Sequence, residues 1–362
     1  MRGRWHRPAM HPKAGRAAPE GADPVLTALS RALEPAEGHD WDLFVERQRL
    51  AGRSNIYVVK ARAPREGQVH WVVKQPHTGW SQDDVANPLT ADEEYAALVR
   101  LDSHFKQRGG PFRVPAPVAL LPDINAFAME CVTGPTIKSL LNYGTVRRPA
   151  TLLDGLAAAG TFLRHLHALE VLPPVEVNLR DEADQVLAVA EEKLHPLGLS
   201  LPDRVRSTLV AFPSLRVTSP RARLHGDFGP ANILLEGDGT TVGLDASLHA
   251  VGYPEDDLVR FVALVSGVIR LAPELVFSPV ARVRRQLEDR LLRAYYQSPA
   301  RPPLFELRYL HQLARRWVRL RELAQQGGRH AALLHTRFTV VGMQMRLLME
   351  DAERRLVHSV GG

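Results

Sequence analysis

The stretch LHGDFGPANILL, residues 224–235, sets an aspartate, Asp227, five positions before an asparagine, Asn232. A further aspartate, Asp245, follows thirteen positions beyond Asn232 in VGLDAS. A carboxylate can take the proton of a hydroxyl. Carboxylate and amide oxygens are also the ligands Mg²⁺ prefers, and two suffice when phosphate oxygens and water complete its shell. Three such groups in this order suit phosphoryl transfer, which asks for positioning and charge neutralisation more than for covalent chemistry. In that arrangement Asp227 is the catalytic base facing the hydroxyl, and Asn232 and Asp245 are the metal ligands.

The same letters allow a second reading, because residues 227–229 spell D-F-G, the metal-binding triplet of protein kinases. That reading makes Asp227 a metal ligand and requires a catalytic loop shortly upstream. The upstream residues, FPSLRVTSPRAR, contain neither aspartate nor asparagine. A polar turn followed by a capping aspartate would also use these letters. The register of Asp245 and the order of the surrounding elements favour the chemical reading.

Competing chemistries lack their motifs. There is no G-x-x-x-x-G-K-[ST], no G-x-G-x-x-G opening a helix, no G-x-S-x-G and no His/Cys cluster at zinc spacing. The net charge of +6 invites a nucleic-acid role. However, the arginines are scattered among acids without an aromatic–basic stripe, so no nucleic-acid partner is expected. No apolar run reaches the length of a membrane span, and integral membrane contact is not expected. The basic late helices are compatible with weak attraction to an anionic surface, although a solvated face explains them as well. The N-terminus has no apolar signal core, and a single cysteine, Cys131, fits a reducing cytoplasm.

The elements that must position these groups follow from pattern. Residues 1–24, rich in Arg, Pro, Gly and Ala, read as a mobile tail. A helix is expected at DPVLTALSRAL, followed by the strand-like runs WDLFVERQRL, SNIYVVKARA and QVHWVVKQP. TADEEYAALVRLDSHFKQ has helical periodicity, and VPAPVALLPD and AFAMECV read as strands. After TGPT the pattern is helical, except for two short apolar runs around the turn EGDGT. Residues 25–133 thus form a small β-rich lobe that binds nucleotide. Residues 134–362 form a large helical lobe with the catalytic loop, the metal site and the acceptor-binding helices.

With these parts in place, LHGDFGPANILL, VGLDAS and PEDDLVRF resemble the aminoglycoside phosphotransferase and choline kinase-like family. The resemblance covers roughly residues 40–300. It implies an α+β, protein kinase-like two-lobed fold, with a small antiparallel sheet and one helix in the N-lobe and a mainly helical C-lobe. It also implies a phosphotransferase with an alcohol acceptor that uses ATP, with GTP compatible, and Mg²⁺. Lys74 in HWVVKQP resembles the strand lysine on the nucleotide phosphates, with Lys60 in YVVKAR its competitor. Glu94 resembles that lysine's ion-pair partner, with Glu93 its competitor. The turn in AGRSNIYVV would cover phosphates through the amides of Arg53, Ser54 and Asn55, without the glycine-rich loop of protein kinases. AMECVTG resembles the hinge, where the backbone of Glu130 and Val132 would meet adenine. His225 and Asp257 resemble residues that support the loop.

The acceptor is a small-molecule hydroxyl: a sugar, an amino sugar, an amino alcohol or a related metabolite. From residue 251 onward there are 18 Arg and no Lys against 11 Asp plus Glu, which argues against a polycation and slightly favours an anionic or neutral hydroxyl acceptor such as a sugar, a sugar phosphate or a lipid-linked headgroup. Choline would ask for an aromatic cage, and Tyr295, Tyr296, Tyr309 and Trp317 are the aromatics available, at spacing that also suits a core. Two rivals stand beside this reading: a non-catalytic nucleotide-binding scaffold that binds a partner protein, and an atypical protein kinase.

Overall fold

A computed structural model describes residues 5–6, 23–37, 42–50, 54–63, 67–77, 89–141, 150–268, 278–325 and 329–361. Most of the expected N-terminal tail, and Arg53 of the phosphate-covering turn, lie outside the described residues. The chain divides into two compact units, residues 1–134 with 236–247 and residues 135–235 with 248–362.

The first unit is built on a six-stranded antiparallel sheet. Its strands are β1 (Trp5–His6), β2 (Asp42–Leu50), β3 (Ser54–Ala63), β4 (Gly67–Pro76), β6 (Pro117–Leu121) and β7 (Ala126–Glu130). Their spatial order is β1-β2-β3-β4-β7-β6. Helix α1 (Pro24–Glu37) starts where the Asp23 carboxylate accepts from the Val25 N–H, at 2.9 Å. Its Val25, Leu29 and Leu33 pack on Tyr57, Val59, Trp71 and Val73 of one sheet face. Because side chains alternate along a strand, Lys74 faces away from that core. Helix α2 (Ala91–Arg108) buries Leu98, Leu101 and Phe105. Between α2 and β6, the two-residue strand β5 (Phe112–Arg113) pairs in parallel with the strand Thr241–Gly243, which belongs to the later segment of this unit.

The second unit is mainly helical. After the single turn α3 (Ile137–Leu140) come α4 (Ala150–His167), α5 (Leu179–Val189) and α6 (Asp203–Val210). They are followed by α7 (Pro254–Val268), α8 (Ser278–Tyr296), α9 (Pro303–Gln325) and α10 (Arg329–Gly361). Pattern reading did not anticipate the antiparallel pair β8 (Leu172–Asn178) and β9 (Arg216–Arg223). The reason is proline: Pro173 and Pro174 break the alternation and sit where the register shifts between Leu172 and Val175. Trp317 and Tyr309 are fully buried in the helical core, which removes them from any open aromatic cage. Among the described residues no helix is long and apolar enough to cross a membrane.

Candidate active site

In the first unit, Lys74 is where two carboxylates converge. Its Nζ lies 2.6 Å from Glu94 Oε2 and 3.0 Å from Asp245 Oδ1. The lysine comes from β4, the glutamate from the first turn of α2, and the aspartate from the segment after Thr241–Gly243. Burial opposes the ammonium, but the charges of Asp245 and Glu94 outweigh it and hold Lys74 protonated far above pH 7. Burial raises the Glu94 carboxyl, a shift that Lys74 offsets only in part and the Asp245 charge reinforces. One cation between two anions leaves an excess of negative charge, which suits a site that must also take a divalent ion.

The competing side chains are engaged elsewhere. Lys60 Nζ is 2.9 Å from Glu46 Oε1 of β2 and so is spent on the sheet. Glu93 closes a capping box with Thr90: its N–H donates to Thr90 Oγ1, and its carboxylate accepts from the Thr90 N–H. Asp245 adopts φ +57°, a left-handed backbone that an aspartate tolerates better than most side chains and that is a source of local strain.

Ser54 and Asn55 begin β3, opposite Pro76 and Gln75. The Asn55 side chain is engaged on both sides, donating to Gln75 Oε1 at 3.2 Å and meeting His77 Nε2 at 3.0 Å. At the end of β7 the Glu130 N–H donates to Ala116 C=O, and the Cys131 N–H donates to His70 C=O. Val132 follows directly. The Glu130 carboxylate has a separate task, which the sequence did not disclose. It grips Arg113, whose guanidinium also takes both oxygens of Glu236. Burial would raise the Glu130 carboxyl, but Arg113 and the Ala116 N–H keep it below its ordinary value. Arg113 thus ties the hinge strand to the segment that carries Asp245.

In the second unit, the loop 224–232 is fixed from several sides. Gly226 takes φ +82°, a conformation that favours glycine. Phe228 is fully buried against Phe261, with ring centroids 4.8 Å apart, so the aromatic of the D-F-G letters is an anchor. Asp257, at the start of α7, accepts from the N–H groups of His225 (2.7 Å) and Gly226 (3.1 Å). Its carboxylate also meets His167 Nε2 at 3.0 Å, and His167 Nδ1 meets the Tyr295 hydroxyl at 2.8 Å. Burial opposes ionisation of Asp257, but the contacts to His167 and His225 overcome it and keep the pKa below the usual carboxylate value.

Asp227 stands about half exposed at the end of this braced loop, and its Oδ1 is paired with Arg260 Nη2. Asn232 donates its amide N–H to the Asp227 carbonyl at 2.9 Å, with Asp227 Oδ2 at 3.4 Å. Among the described residues no group of three or more His, Cys, Asp or Glu could hold a metal ion on its own. Asn232 in the second unit and Asp245 in the first each carry a hard oxygen donor of the type that suits Mg²⁺. Arg260 was not singled out from the sequence, although its place three residues after Asp257 on a helix put it on the same face.

Comparison with known proteins agrees with this arrangement. A family model described as the phosphotransferase enzyme family (APH) matches residues 46–275. No curated protein matches the sequence. Among solved structures, a choline/ethanolamine kinase family protein from Mesorhizobium loti is 17% identical, with a TM-score of 0.51. That match covers 94% of this chain and 100% of that one. A glucosamine kinase in complex with glucosamine, ADP and inorganic phosphate is 18% identical over 92% of this chain and 87% of that one, with a TM-score of 0.53. These likenesses show the fold, a protein kinase-like, two-lobed α+β architecture. With the family model spanning most of the chain, the protein belongs to the phosphotransferase enzyme family.

Proposed function

We propose that this enzyme moves the γ-phosphoryl group of ATP to a hydroxyl of a sugar, amino sugar, amino alcohol or related metabolite. The acceptor oxygen forms a bond to the γ-phosphorus as the bond from that phosphorus to the β,γ-bridging oxygen breaks and ADP leaves. The hydroxyl proton passes to the Asp227 carboxylate. Lys74, braced by Glu94, holds the α- and β-phosphates. The backbone around Ser54 and Asn55 lies over the phosphates, and the backbone of Glu130 and Val132 meets the adenine edge. Asn232 and Asp245 are the ligands for Mg²⁺, which neutralises phosphate charge when bound. GTP is compatible with the same contacts. The observation that carries the reading is the convergence of Glu94 and Asp245 on the Lys74 ammonium, a cation built into the sheet at the strand expected to serve phosphates.

Calorimetric titration of Mg·ATP into wild type, D245N and D227N tests it, alongside ADP release over a panel of hydroxyl compounds. D245N is expected to lose at least tenfold in affinity, about 1.4 kcal/mol. D227N is expected to bind nucleotide as wild type does and to lose transfer by roughly three orders of magnitude or more. Turnover retained in D227N removes the base assignment. Binding that is indifferent to Mg²⁺ and to D245N removes the metal assignment.

A further inference from the structure

Helix α7 presents two residues to the catalytic loop, three apart. Asp257 holds the backbone of His225 and Gly226 and so helps to fix the loop. Arg260 does something different: it puts a cation on the carboxylate proposed to face the hydroxyl. A guanidinium there occupies one oxygen of that carboxylate and leaves the other to the hydroxyl, so the cation stands beside the acceptor.

The geometry of the pair leaves room for an acceptor. Arg260 makes a one-point contact, Nη2 to Oδ1, rather than the two-point fork that arginine and carboxylate form when locked together. Its Nε is buried without a hydrogen-bond partner among the described residues. The pair is open to solvent, with Arg260 39% and Asp227 47% exposed. A hydroxyl on Asp227 Oδ2 would therefore lie on the order of 5 Å from the guanidinium, two or three bonds along the acceptor.

Three acids of α7 and α5, Glu255, Asp256 and Glu182, are buried or already paired. Asp256 and Glu182 are both on Arg308, at 3.3 and 2.8 Å. Glu255 is buried and accepts from the Tyr296 hydroxyl at 3.1 Å.

We infer that Arg260 selects an acceptor carrying an oxyanion, a carboxylate or a phosphate, close to the accepting hydroxyl. Asp227 orients the hydroxyl while Arg260 binds the anion. This rests on the reading of Asp227 in the preceding subsection and narrows its acceptor class. An ammonium in the same place would meet a like charge.

One three-carbon scaffold in four charge states tests the inference: D-glycerate, glycerol 3-phosphate, glycerol and 3-amino-1,2-propanediol. Each is titrated calorimetrically into wild type, R260Q and R260K, with and without Mg·ADP, and each is offered as acceptor with Mg·ATP. Wild type is expected to bind at least one of the two anions tenfold or more tightly than glycerol, and the amine no better than glycerol. R260Q is expected to bring the ratio of anion to glycerol affinity, both measured in that variant, to about one, and R260K to keep part of the preference. Thermal melting confirms that each variant is folded, and R260K carries the test should R260Q fail to fold. Anions bound no better than glycerol, or a preference that survives R260Q, overturn the inference. So does an R260Q defect confined to kcat, which would assign the guanidinium to the transferring phosphoryl group. Because the anion titrations are also run without nucleotide, failure of wild type to bind Mg·ADP, or turnover retained in D227N, would fault the earlier reading and not this one.

Discussion

An ammonium between two carboxylates is held in place before any nucleotide arrives, and Lys74 is such a group. Replacing it with methionine keeps the length of the side chain and leaves two buried-side carboxylates facing each other. K74M is expected to lower Mg·ATP affinity at least tenfold, whereas K60M, whose partner is Glu46, should stay within about twofold of wild type; the same calorimetry reads both. Equal losses would mean that the two lysines share the phosphates. At this scale the sequence was informative but incomplete. The spacing of Asp227, Asn232 and Asp245 was visible because it is local in the chain. Glu93 could have been set aside in advance, since Thr90-x-x-Glu93 before an apolar run is itself a capping signature. Arg113 and Glu236 could not have been paired from pattern, because 123 positions separate them and neither sits in a motif.

Helices α4 and α8 pass one another at Gly160. A Cβ placed there would stand 2.3 Å from the Leu291 carbonyl oxygen and 3.1 Å from Ala294 Cβ, so even the smallest side chain forces the helices apart. G160A is expected to cost about 1–3 kcal/mol in denaturant unfolding, despite alanine's better helix propensity. An unchanged midpoint would show that the crossing can yield. Helices of this length were legible because fifteen or more periodic residues outvote local exceptions. Strands β8 and β9 were not, since their prolines erase the two-residue alternation and their partners lie far apart in sequence. The sheet of the first unit was easier, its runs being short, β-branched and separated by turn residues.

Over the whole molecule, the arginine excess after residue 251 has a largely internal destination. Arg284, Arg301 and Arg355 are tied to Glu288, Glu306 and Asp351 beneath the C-terminal helix α10, and Arg308 to Glu182 and Asp256. A count of charges therefore says less about the acceptor than it appeared to, and the half-exposed pair of Arg260 with Asp227 says more. The same packing makes stability sensitive to acid. Burial, with the nearby charges of Arg308 and Lys193, pushes His311 down to about 4. A histidine lowered from its ordinary value of about 6.5 contributes stability that is complete above that value and is lost as pH falls through the folded pKa. Between pH 6.5 and 4 the loss attributable to His311 is at most about 3 kcal/mol. H311Q should flatten the fall in unfolding free energy across that window, and an unaltered slope would assign it to other groups. Finally, the first unit is closed by residues 236–247, made only after residues 135–235. At synthesis rates of about 5–20 residues per second, the sheet waits several seconds with Lys74 and Arg113 lacking Asp245 and Glu236. The nascent chain thus passes through a stage in which the strand of Lys74 exists but the aspartate that pairs with it does not, and a fragment ending at Gly134 would be arrested there.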